Sequence, residues 1–121
     1  RYFNRWARKV ALSDSALYHA VAEIRQGLVD TDLGGGIFKK RVALPGRGKR
    51  GSVRTLLATN RNDRWIFVFG FEKNERANIS DKELEALRLL ADDLLALTES
   101  QISAAISNGS LLEVLYETRN S

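Results

Sequence analysis

The chain has 121 residues, of which 44% are apolar and 28% charged, a composition that indicates a globular domain and excludes an intrinsically disordered chain. It has no cysteine, which excludes disulfides and thiolate metal sites, and no apolar run approaches the roughly 20 residues of a membrane-spanning helix. The formal net charge of +4 hides a basic segment, 39–76, with eleven basic and three acidic residues, and an acidic segment, 77–121, with three basic and eight acidic residues. We expect one domain over 1–121 that works in the cytoplasm and does not bind a membrane.

Two helices are predicted at the N-terminus. A short one covers 3–9, and a second covers 14–26 with Ser13 as its N-cap, since a serine hydroxyl can accept an early backbone N–H. Gly27 follows at the position where a left-handed residue often ends a helix. The second helix has one apolar stripe at helical spacing, formed by Leu17, Val21, Ile24 and Leu28.

The middle of the chain has the alternating pattern of β-strands. Strands are predicted over 36–44, 52–59 and 65–71. The glycine-rich segment 30–36 is predicted as a turn-forming break, 45–51 as a basic loop and 60–63 as a turn. Because 65–71 is almost entirely apolar and aromatic, we expect it to be a central strand buried on both faces. Short connections make an antiparallel meander the expected topology.

The last third of the chain is predicted to be helical. Ser80 and Glu83 have the spacing of a capping box, and Thr98 with Gln101 forms a second one before a shorter helix. Gly109 is expected to end that helix. The segment 111–115 is predicted as a short strand.

The candidate site is the basic meander, because affinity for nucleic acid rises with the number of cations that meet phosphates. Its basic residues are Lys39, Lys40, Arg41, Arg47, Lys49, Arg50, Arg54, Lys73 and Arg76. In a strand, Lys39 and Arg41 share a face while Lys40 points the other way. The alternative interpretation is an ordinary solvated surface. A metal site is not expected, since the single histidine, His19, is on the second predicted helix.

Two segments, KKRVALPGRGKRGSVRTLLA and WIFVFGFEKNERANISDKEL, resemble the RelE/HigB-type toxins of bacterial type II toxin–antitoxin systems. The resemblance implies an α+β fold in which N-terminal helices pack on a small antiparallel sheet, as in RelE-like and microbial-RNase-like proteins, followed by C-terminal helices. It implies ribosome-dependent, metal-independent cleavage of mRNA, without a cofactor. The implied partners are the ribosome, mRNA and a cognate antitoxin, for which a helix-turn-helix protein is one candidate.

The resemblance also implies roles for single residues. The catalytic candidates are Lys39, Arg41, Arg54 and Lys73. The RNA-binding candidates are Lys40, Arg47, Lys49, Arg50, Arg76 and Phe69. A tyrosine that is frequent in relatives is replaced by Phe69 here, so no phenolic hydroxyl is available at that position. Phe69 and Phe71 are predicted on one face, where they serve either as stacking platforms for bases or as core.

The implied reaction is attack of a ribose 2′-OH on the adjacent phosphate, which needs a proton acceptor, a proton donor and cations. A lysine surrounded by other cations releases its proton more readily, so Lys39, Lys49 or Lys73 is a candidate base. Arg41 and Arg54 are better suited to clamp phosphate, because guanidinium stays charged and binds in a bidentate manner. Two other functions remain open: a ParE-like inhibitor of DNA gyrase, and a non-catalytic nucleic-acid-binding module.

Overall fold

The computed structural model describes residues 2–28, 31–44, 52–73 and 75–114. In chain order, the elements of these segments are α1 (Tyr2–Lys9), α2 (Asp14–Arg25), β1 (Thr31–Gly34), β2 (Ile37–Ala43), β3 (Ser52–Thr59), β4 (Trp65–Glu72), α3 (Asp81–Ala96) and α4 (Glu99–Ser107). The predicted α+β class, with helices before and after an antiparallel sheet, is confirmed.

The four strands form one antiparallel sheet in the order β1-β2-β3-β4. The prediction that 30–36 is only a turn was wrong, because Thr31–Gly34 forms β1 and pairs with β2. The break is confined to three glycines with positive φ, Gly34, Gly35 and Gly36, which allow a tight reversal. A side chain holds the turn after β3, where Asn60 Oδ1 accepts backbone N–H groups from Asn62, Asp63 and Arg64.

The prediction that 65–71 is a central strand was also wrong. The strand β4 lies at the edge of the sheet, and β3 is the strand whose residues are mostly fully buried. A helix, not another strand, covers β4: Phe3 of α1 stacks on Phe67 at 5.4 Å between ring centroids. The ring of Trp6 lies over Gly70, where an added Cβ would come within 2.2 Å of it. The aromatic residues of β4 therefore belong to a half-buried edge strand on which a helix packs.

The helices lie on both faces of the sheet. On one face, Phe3 of α1 and Leu17 of α2 are buried in a cluster with Val42 and Val53. Ile24 of α2 is buried on the same face against Phe38 and Leu57. On the other face, α3 buries Leu87 and Ala91 against Ile37, Leu56, Ala58 and Phe71. The core therefore has a layer on each side of the sheet, as expected when both faces are apolar.

The helix ends follow the predicted capping chemistry. The Ser13 hydroxyl accepts the Ala16 N–H, and both capping boxes are present at Ser80 and Thr98. Gly27 and Gly109 have positive φ just after α2 and α4. The predicted strand over 111–115 is not formed in its described part, 111–114, because Val114 instead packs against the core beside α1 and α2.

The end of α1 has a capping motif that the sequence did not predict. The Leu12 N–H donates to the Ala7 carbonyl and the Ala11 N–H to the Arg8 carbonyl, which is the hydrogen-bond pattern of a Schellman motif. Ala11 takes the left-handed position, with a φ of 62°. Leu12 and Ala7 are both buried in the same cluster, which supplies the apolar contact that usually accompanies this motif.

Candidate nucleic-acid interface

One face of the sheet carries most of the basic residues predicted to be catalytic. Lys39 and Arg41 lie on the same face of β2, and Arg54 on β3 is the direct cross-strand partner of Arg41. Directly paired residues of antiparallel strands project from the same face. Arg41 is exposed, while Lys39 and Arg54 are half-buried. The structure thus gathers three of the four catalytic candidates, and Lys73 is exposed just after β4 ends.

Arg54 is in an unusual position for a guanidinium. Its cross-strand partner on β4 is Phe71, which is only 3% exposed. The Arg54 Nη1 atom is buried and has no hydrogen-bond partner in the described part of the chain. A buried N–H without an acceptor is costly, because it has given up its hydrogen bonds to water. Arg54 Nη1 is therefore a donor whose acceptor is not among the described residues.

Arg41 and Arg54 carry like charges at directly paired positions of β2 and β3. Like charges directly opposite each other destabilise a pair of antiparallel strands. A phosphate group held between them would offset this repulsion and would match the planar, bidentate geometry of guanidinium.

An aromatic and cationic cluster lies on the same face. Phe69 and Phe71 have ring centroids 6.3 Å apart, and the Arg76 guanidinium lies 5.8 Å from the centroid of Phe69. Arg76 Nη1 donates to Glu83 Oε1 at 2.6 Å. This hydrogen bond, together with the one from the Ser80 backbone N–H, lowers the pKa of Glu83 to about 2. Glu83 therefore stays ionised near neutral pH and orients Arg76 against the aromatic ring.

Lys40 lies on the opposite face and is 6% exposed. Its ammonium is 2.8 Å from Glu23 Oε1 and donates to the Leu28 carbonyl at 2.8 Å. Both contacts tie β2 to α2 and to the residues that follow it. The Lys40 side chain thus holds β2 to α2 away from the cationic face, and its RNA-binding role stays a prediction.

The predicted RNA-binding residues Arg47, Lys49 and Arg50 lie in 45–51, outside the described residues. Their role stays a prediction. The residues on either side of this segment are described. Ala43 at the end of β2 pairs with Ser52 at the start of β3, and Arg41 pairs with Arg54 two residues further into each strand. The pair of Arg41 with Arg54 therefore lies close to the last described residue of β2 and the first of β3.

Sequence reasoning missed Tyr2. Its ring stacks on Phe69, with centroids 5.4 Å apart and planes 13° from parallel. Tyr2 reaches this face because α1 docks across β4, a tertiary contact that periodicity does not reveal. Gly70 was the available signal, since a glycine inside an apolar strand often marks the close approach of another element.

Other classes of site find less support. Within the described segments, no group of His, Cys, Asp and Glu side chains is placed to hold a metal ion. His19 is exposed on α2, with its ring edge-on to Tyr18. None of the helices described above is long and apolar enough to cross a membrane.

A helix-flanked antiparallel sheet with paired arginines across two strands defines a small α+β protein with a cationic sheet face. Residues 1–114 match the family described as the RelE toxin of the RelE/RelB toxin–antitoxin system. This match covers nearly the whole chain, and the chain belongs to the RelE toxin family. It is thus the toxin of a toxin–antitoxin pair, and its family implies an antitoxin partner. Comparisons with curated proteins and with solved structures gave no match.

Proposed function

We propose that this toxin is a ribosome-dependent endoribonuclease that cuts mRNA at the cationic face of its sheet. The observation that carries the proposal is the buried Arg54 Nη1, which has no acceptor among the described residues and lies opposite Arg41. A scissile phosphate would supply an acceptor for this N–H. Membership of the RelE family supports RNA as the source of that phosphate.

The proposed division of roles follows from the chemistry of each side chain. Arg54 donates to the phosphate, where negative charge grows as the 2′-OH attacks, and Arg41 clamps the same group. Lys39 is diagonal to Arg54 on the same face, since its own cross-strand partner is Leu56. It is the candidate proton acceptor among the described lysines of this face. Lys73 is exposed beyond the end of β4 and is the candidate donor to the leaving oxygen.

The test uses purified protein with translating ribosomes and maps the 5′ ends of mRNA fragments. Arg54→Ala should slow cleavage by about 10²–10³, the usual cost of removing one preorganised donor to a developing oxyanion. Arg54→Lys should be almost as slow, because it keeps the charge and loses the bidentate fork. A binding residue with no role in the reaction would lose affinity and rate equally.

Arg61 provides the matched control. It lies in the turn after β3, at the opposite end of the hairpin from Arg54, and its guanidinium lies 5.1 Å from the Phe38 ring centroid. Because Arg61 has a φ of 62°, glycine preserves the turn better than alanine. Arg61→Gly should cleave normally. An equal loss in Arg61→Gly, or full activity in Arg54→Ala, would remove Arg54 from the site. Gyrase-linked DNA breaks without mRNA cleavage would replace the proposal with the ParE-like function.

A further inference from the structure

Tyr2 is more exposed than its neighbours on α1 that hold the helix to the sheet. Phe3 is 4% exposed and packs on Phe67, and Trp6 is half-buried over Gly70, so these two side chains account for the docking of α1 on β4. Tyr2 is 55% exposed. It passes the edge of β4 and covers Phe69 with one side of its ring, leaving much of its surface to solvent.

The rings on this face form a series that leads to the candidate phosphate site. Tyr2 stacks on Phe69, and Phe69 contacts Phe71. Phe71 is the cross-strand partner of Arg54. One end of the series is therefore an exposed phenol ring, and the other end lies beside a buried guanidinium N–H without an acceptor among the described residues.

The charges around the series fit the same ligand. Arg76 lies over Phe69 and is held by Glu83, so its guanidinium is fixed close to the stacked pair. A single-stranded nucleic acid presents flat bases and phosphates in alternation along one chain. Proteins bind it by combining aromatic stacking platforms with cations that track the backbone. Tyr2, Arg76 and Arg54 offer this combination on one face.

We propose that Tyr2 is a base-stacking residue of the RNA site, and that its exposed ring surface takes a nucleobase of the strand whose phosphate Arg54 binds. The inference rests on the proposed binding of RNA at this face, but not on cleavage. It assigns to the first turn of α1 a direct contact with the substrate. The Tyr2 ring also offers a stacking surface that the Phe69 ring cannot offer, because Tyr2 and Arg76 already cover Phe69.

The experiment measures binding of the full chain to a short single-stranded RNA that contains 2-aminopurine, whose fluorescence falls when it stacks on an aromatic ring. Tyr2→Leu keeps an apolar cover over Phe69 and removes the stacking surface. It should weaken binding on the order of 10-fold, the loss typical of one base–aromatic stack, and should abolish the quenching. Tyr2→Phe should behave like the wild type, and Tyr2→Trp should quench at least as strongly.

Tyr18→Leu is the matched control, since Tyr18 is an exposed tyrosine on α2 whose ring contacts His19. It should bind and quench like the wild type. If Tyr2→Leu bound the RNA and quenched its fluorescence as strongly as the wild type does, the inference would be overturned. If Arg54→Ala lost binding in the same experiment, the proposed RNA site would remain without Tyr2. Failure of the wild type itself to bind the RNA would overturn both.

Discussion

At the residue scale, two residues have a local structure that their neighbours determine: the backbone conformation of Ala11 and the side-chain hydrogen bonds of Glu83. Ala11 occupies the left-handed position of the Schellman motif after α1, a place where glycine is the usual residue. Glu83 serves two partners at once, the Ser80 backbone N–H of the capping box and the Arg76 guanidinium of the aromatic cluster. Each position gives a prediction whose sign follows from local physics.

Ala11→Gly should stabilise the protein. A left-handed alanine costs roughly 1–2 kcal/mol, and the extra freedom of glycine in the unfolded chain takes back part of this gain. We expect a net increase of about 0.5–1 kcal/mol in the free energy of unfolding, measured by urea denaturation. The same substitution at Ala22, inside α2, should destabilise by about 1 kcal/mol. If both substitutions changed the free energy of unfolding in the same direction, the left-handed conformation of Ala11 would be contradicted.

Glu83 should make stability depend on pH in the acid range. Its pKa is about 2 in the folded protein, below its ordinary value of 4.5, because Arg76 and the Ser80 N–H stabilise the carboxylate. A lowered pKa contributes stability above the ordinary value, and that contribution is lost as the pH falls from about 4.5 to about 2. Glu83→Gln keeps an acceptor for the capping box and removes the charge. The difference in unfolding free energy between wild type and Glu83→Gln should therefore be constant above pH 5 and shrink below it; a difference that grows on acidification would contradict this.

At the element scale, an arginine from the turn between β3 and β4 fixes the end of α3. Arg64 Nη1 donates to the carbonyls of Leu94, Leu95 and Leu97, and its Nη2 donates to Glu99 Oε2 on α4. The last turn of α3 has no basic residue of its own. Arg64 therefore supplies the donors and the positive charge that the C-terminus of a helix lacks.

Arg64→Ala should cost about 1–3 kcal/mol of stability, since it leaves partly buried carbonyls without a donor. The loss should appear in thermal unfolding and in faster amide hydrogen exchange over the last turn of α3. Arg61→Gly, in the same turn after β3, serves again as the control and should leave exchange in α3 unchanged. If α3 exchanged normally in Arg64→Ala, these hydrogen bonds would not be what holds its end.

The sequence predicted the helices and strands better than it predicted which of them pack against each other. Capping residues such as Ser80 and alternation such as that of β3 are local properties, so the helices and the strands β2, β3 and β4 were predicted close to their observed bounds, while β1 was missed. The position of β4 at the edge, the hairpin with β1 and the arrival of Tyr2 on Phe69 depend on which elements dock together, and local patterns do not encode this. The site was predicted as a set of basic residues, and alternation correctly separated Lys40 from Lys39 and Arg41. The register that pairs Arg41 with Arg54 needed the structure.

At the scale of the whole molecule, charge is divided along the chain. The net +8 of 39–76 includes the residues of the cationic face, while the net −5 of 77–121 includes α3 and α4. The basic segment orients the protein toward a polyanion. We expect an acidic segment of the antitoxin to be complementary to this basic surface.

RNA binding should therefore depend steeply on salt. If about five phosphates are neutralised on a single strand, the logarithm of the binding constant should fall with the logarithm of salt concentration at a slope of about −3 to −4. Fluorescence titrations of a short RNA at several salt concentrations measure this slope. Arg54→Ala should make it shallower by somewhat less than one unit. A slope near zero for the wild type would show that the basic segment is not the binding face.

The order β1-β2-β3-β4 also bears on how the molecule folds. Each strand pairs with its neighbour in sequence, so the sheet forms by closing short loops, which favours rapid folding. The contact between Trp6 and Gly70 joins distant parts of the chain and pays a larger loop-closure entropy. We expect α1 to dock after the meander has formed, so that Gly70→Ala, which forces Trp6 off β4, accelerates unfolding and leaves the folding rate nearly unchanged. If α1 belonged to the folding nucleus, stopped-flow measurements on Gly70→Ala would instead show slower folding and a nearly unchanged unfolding rate.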